Sequence, residues 1–134
     1  MAGTGATAGI SCLVDELWHG LPFSYNAPRI RTKSDVLSNY LFYFLNTELI
    51  KKQQKSLFTG NAQPFLDTRA IANLKIVLPP LHEQYTIASV LGLVDEKLSS
   101  LQSRKEYYQQ LKKGLMQQLL TGKLRVNVTE PALA

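Results

Sequence analysis

Five apolar residues, Ile87, Leu91, Val94, Leu98 and Leu101, stand four, three, four and three residues apart. That is the spacing of a heptad seam, with one apolar residue returning to the same side of a helix at each step. Lys105 falls on the next seam position, and Tyr108, Leu111, Leu115 and Leu119 continue the stripe at steps of three, four and four. The extra residue reads as a stutter, which makes the stripe drift slowly around the helix. Pro79-Pro80 bounds the run on one side and Gly122 on the other, a start and a stop for one helix from Leu81 to about Thr121. At ~1.5 Å per residue such a helix is roughly 60 Å long. Its stripe has to bury against another helix, so the expectation is a coiled-coil-forming element.

The residues before the prolines are mixed in pattern. Gly3 to Gly9 reads as a glycine turn, followed by a short buried strand at Ile10–Val14. Within that run Cys12 reads as a buried structural thiol. Asp15 to Pro22 reads as a loop, and Phe23 to Ile30 as an edge strand, because Pro28 withholds a ladder hydrogen bond. Ser34-Asp35 is expected to open a helix, with an apolar face from Val36 to Leu49 and Lys51, Lys52 and Lys55 at its far end. Thr59-Gly60-Asn61 and Pro64 mark a loop, Asp67 to Leu74 a short helix, and Lys75–Leu78 a final strand. The expected fold is therefore α+β, a small mixed body followed by one long helix.

Two separated runs are more specific than any of this. The first is Leu78-Pro79-Pro80-Leu81-His82-Glu83-Gln84 with Ile87-Ala88, Leu91 and Asp95. The second is Leu111-Lys112-Lys113-Gly114-Leu115-Met116-Gln117-Gln118-Leu119-Leu120-Thr121-Gly122-Lys123 with Arg125-Val126. Together they resemble the conserved region of the specificity subunits of type I restriction–modification enzymes. Gly3–Gly9 and Thr59–Leu66 resemble the glycine turn and the Gln-Pro loop of a target-recognition domain in that family. The resemblance covers the later half of one recognition domain and its conserved helix. It implies a partial DNA-binding domain at 1–78, a spacer and dimerisation helix at 79–122 and a tail at 123–134.

The family implies a non-catalytic role, with no cofactor of its own. The implied partners are double-stranded DNA, modification (methyltransferase) subunits directly and the restriction subunit indirectly. Two conserved helices of the family pack antiparallel and set the distance between two half-sites on DNA. Here the stripe predicts a homodimer through Ile87, Leu91, Val94, Leu98, Leu101, Tyr108, Leu111, Leu115 and Leu119. For DNA the candidate residues are Arg29, Arg31, Lys51, Lys52, Lys55, Thr59, Asn61 and Gln63: cations for phosphates, and amides and a hydroxyl for base edges. The opposing account of these residues is cations that complement a helix dipole, followed by an ordinary turn. A second reading of the whole chain is an assembly element that oligomerises through the helix without binding DNA.

Composition agrees with an anionic partner, the formal charge being +5 with a pI of about 9.4. With one cysteine no internal disulfide can form. No apolar run approaches the ~20 residues of a membrane span, and nothing resembles a signal peptide. A cytoplasmic protein without membrane contact is expected. His19 and His82 lack metal-ligand spacing. Asp15-Glu16 and Asp95-Glu96 are adjacent, so the side chains of each pair diverge, and neither makes a catalytic dyad. The glycine turn is not followed by the Lys-Ser/Thr of a phosphate-binding loop.

Overall fold

A computed structural model describes residues 1, 8–18, 20–22, 24, 26–58 and 65–127. Among the described residues, a short 3-10 turn at Glu16–Trp18 is followed by four α-helices: α1 Ser38–Leu45, α2 Glu48–Leu57, α3 Thr68–Ala72 and α4 Leu81–Leu120. The chain divides into two compact units, Met1–Gly92 and Leu93–Ala134, the division falling inside α4.

In the first unit α1 packs on α2 and α2 on α3. The apolar run expected as a single helix is broken at Asn46-Thr47. Asn46 and Thr47 return their amides to the carbonyls of Tyr43 and Phe44, at 3.1 Å each. Thr47 then caps α2 by accepting from the Ile50 amide. Nor does the first helix open at Ser34. A turn lies there, closed by Val36 N–H to the Lys33 carbonyl, and α1 starts at Ser38. The short helix expected after Asp67 is present, with the Asp67 carboxylate accepting from the Ala70 amide. Among the described residues, Tyr40, Leu45, Ile50, Leu66 and Ala88 are the buried apolar side chains, joined by the polar residues Ser11, Gln54 and Gln84.

The α+β expectation is overturned. Among the described residues there is no strand, and a single bridge residue, Phe65. Ile10–Val14 forms no strand; Ile10, Leu13 and Val14 are exposed, and Cys12 is exposed rather than buried. Of the Phe23–Ile30 segment, the described residues 24 and 26–30 form no strand.

At Lys75–Leu78 the physical reason is visible. The Gln53 side chain donates to the Lys75 carbonyl at 2.9 Å and accepts from the Lys75 amide at 2.8 Å. These are the two hydrogen bonds a neighbouring strand would supply. Two residues on, the Tyr40 hydroxyl donates to the Val77 carbonyl at 2.7 Å. Backbone polarity is satisfied here by side chains reaching out of helices.

The same device recurs at Gly9. Its carbonyl accepts from Gln54 Nε2 at 3.2 Å. Its φ is +87°, and a Cβ there would overlap the Gln54 carboxamide, so only glycine suits the position.

The long helix is where the periodicity places it. It ends at Gly122, φ +72°, where the amides of Gly122 and Leu124 return to the carbonyls of Leu119 and Gln118 at 3.2 and 3.0 Å. Among the described residues, no helix is long and apolar enough to cross a membrane.

Candidate nucleic-acid and assembly interfaces

Helix α2 has two opposite faces. Ile50, 0% exposed, and Gln54, one turn on, point inward, with Gln53 and Leu57 half-buried beside them. A helix advances 100° per residue, so burial at those positions sends Lys51, Lys52 and Lys55 to the opposite, exposed side. Three ammonium groups on one face, spread over two turns, suit contact with the phosphates of a nucleic-acid backbone. Glu48 stands on the same side and accepts from Lys51 Nζ at 2.7 Å. The hydrogen bond from Lys51, then its charge and those of Lys55 and Lys52, hold the Glu48 carboxyl below its usual range. An exposed pair of this kind contributes little stability, so a phosphate can displace the carboxylate at little cost.

The other sequence candidates lie elsewhere. Arg29 and Arg31 are exposed on the segment that leads into α1, and Thr32 and Ser38 share a 2.9 Å hydroxyl hydrogen bond just beyond them. Thr59, Asn61 and Gln63, like His19, lie outside the described residues. His82 is exposed in the first turn of α4. Among the described residues no three His, Cys, Asp or Glu side chains are grouped as metal ligands.

Of the seam residues, Ile87 is half-buried. Leu91, Val94, Leu98, Leu101, Tyr108, Leu111, Leu115 and Leu119 are exposed, from 37% at Leu119 to 57% at Leu98. Near its end the stripe forms a shallow apolar groove lined by Tyr108, Leu111, Leu115, Met116 and Leu119. Arg104 lies 5.6 Å from the Tyr108 ring centroid and donates to its hydroxyl at 3.3 Å, fixing that ring on the seam.

Sequence reasoning missed the role of three glutamines that make long-range hydrogen bonds in the first unit. Gln53 and Gln54 lie next to the lysines and left no signal of their own. Gln84 did leave one: it sits three residues before Ile87, on a seam position where an apolar residue is the rule.

The described surface thus offers a basic helix face on α2 and an exposed apolar seam on α4. The chain belongs to the family of the type I restriction modification DNA specificity domain, which matches residues 1–112. It is similar to the type I restriction enzyme MjaVIII specificity subunit of Methanocaldococcus jannaschii, 40% identical over 87 residues, which are 65% of this chain and 20% of that protein. It is also similar to the putative type I restriction enzyme MjaX specificity subunit of the same organism, 34% identical over 98 residues, 72% of this chain and 23% of that protein. The chain thus spans about a fifth of the length of these curated relatives. No solved structure matches.

Proposed function

We propose that this chain acts as part of the specificity subunit of a type I restriction–modification system, contributing to DNA target recognition and docking modification subunits, without catalysis of its own. The observation that carries this reading is the extent of the family match. Residues 1–112 take in the first unit, with its lysine face, and most of α4.

In this reading residues 1–78 bind DNA, 79–122 form the spacer and assembly helix, and 123–134 are a tail. Lys51, Lys52, Lys55, Arg29 and Arg31 neutralise phosphates, while Thr59, Asn61 and Gln63 face base edges. The seam from Ile87 to Leu119 buries against a second long helix, from another copy of this chain or from the rest of a longer subunit. Modification subunits dock beside it and the restriction subunit joins through them, in the cytoplasm. Full burial of a leucine is worth ~1.5–3 kcal/mol, so a stripe of this length suffices for stable association.

Light scattering coupled to size-exclusion chromatography, alone and with a modification subunit of the same system, tests this. The expected result is a dimer that shifts to a larger stable complex and binds duplex DNA with an affinity that falls steeply as salt rises. A monomer that joins no modification subunit would overturn it.

A further inference from the structure

Gln84 is 1% exposed, yet it is polar and stands where the seam calls for an apolar residue. Its carboxamide uses both ends. Oε1 accepts from the Leu37 amide at 2.9 Å; Nε2 donates to the Asp35 carbonyl at 3.0 Å and to the Pro79 carbonyl at 2.8 Å. Leu37 is the N-cap residue of α1 and has no side-chain cap of its own, so Gln84 serves the α1 start from the first turn of α4. Pro79 belongs to the rigid dipeptide that leads into α4, whose own first turn is closed by the Glu83 and Gln84 amides on the Pro80 carbonyl. One side chain thus satisfies three backbone groups on two segments.

No common substitute does this. A leucine would favour the seam but take this partner from one amide and two carbonyls in part-buried surroundings. A carboxylate could accept from Leu37 but would face two carbonyl oxygens with nothing to donate.

We infer that Gln84 is a positioning residue: within the first unit its carboxamide clamps the first turn of α4 to the segment that opens α1, and so seats the root of that helix. The clamp itself stands on the geometry above. Its consequence for DNA rests on the specificity-subunit reading, in which the long helices set the distance between half-sites.

The test compares Gln84→Met, of similar length but without the hydrogen bonds, with Leu66→Ala, which removes a fully buried core side chain and none of the clamp's hydrogen bonds. Spin labels on the exposed Cys12 and on a Ser89→Cys site, both within the first unit, report the distance distribution in the full chain assembled with its modification subunit. Modification of duplexes with varied spacing between half-sites is the second readout. Gln84→Met is expected to broaden the distance distribution. It should also lower discrimination against a spacing one base pair off optimum by roughly tenfold, the factor matching one net hydrogen bond. Leu66→Ala should lose stability but keep both the wild-type distribution and the wild-type spacing preference. If Gln84→Met does not fold, Gln84→Asn, one methylene shorter, should give a smaller broadening.

A distribution in Gln84→Met or Gln84→Asn as narrow as the wild type would overturn the clamp, and so would equal broadening in Leu66→Ala. A wild-type complex indifferent to spacing would overturn the DNA reading, while the spin labels still decide the clamp.

Discussion

Tyr40 lies in the small core of the first unit, 6% exposed, with its hydroxyl donating to Val77. Burial, and secondarily the charge of Glu83, raises its pKa above the ordinary tyrosine value of 10.0. A raised native pKa means that the neutral phenol favours the folded state. That contribution is complete below pH 10.0 and is lost as pH climbs through the native value. Tyr40→Phe should lower stability by about 1 kcal/mol, the usual net worth of one hydrogen bond. It should also remove this part of the alkaline decline, as urea titrations at neutral and alkaline pH would show; identical curves for variant and parent would refute the role. At this scale legibility depended on how local the cause was. Gly122 and Asp67 act on backbone within a few residues and could be read directly. Cys12 could not, because an apolar run such as Ile10–Val14 is buried only if something covers it, and here it is exposed.

The long helix was legible from end to end, since a repeat of three and four with a proline start and a glycine stop needs no tertiary information. The strands were not. A strand exists through its neighbour, and Gln53 takes the hydrogen bonds at Lys75 that a neighbour would have made. The break between α1 and α2 was written locally, in Thr47 before Glu48, but an apolar face continuing from Leu45 to Leu49 masked it. The lysines of α2 were readable as a basic helix end; that they share one exposed face depends on the burial of Ile50 and Gln54. At the seam, Leu98→Asp with Leu101→Asp should abolish self-association while leaving helix content of the first unit intact, measurable by light scattering and circular dichroism. A dimer that survives both changes would place the interface elsewhere. Lys105→Leu fills the one charged seam position and should raise the melting temperature of the assembly by a few degrees while relaxing partner choice. Unchanged melting would show that Lys105 lies off the interface.

Across the whole chain, the charge of +5 acts through where its cations stand, not through their number. Changing Lys51, Lys52 and Lys55 together to Gln should weaken binding to any duplex. It should also flatten the dependence of log affinity on log salt by roughly 2–3, close to one unit for each phosphate no longer neutralised. Filter binding between low and moderate salt measures it, and an unaltered slope would remove α2 from the interface. The uncovered seam has a consequence of another kind. A chain that carries so much apolar side chain outside its own core becomes more stable with every partner molecule that covers it, by mass action. On the specificity-subunit reading, copies that find no seam partner are expected to present that stripe to chaperones and proteases and to decay faster than assembled ones, which a pulse-chase with and without the modification subunit would measure.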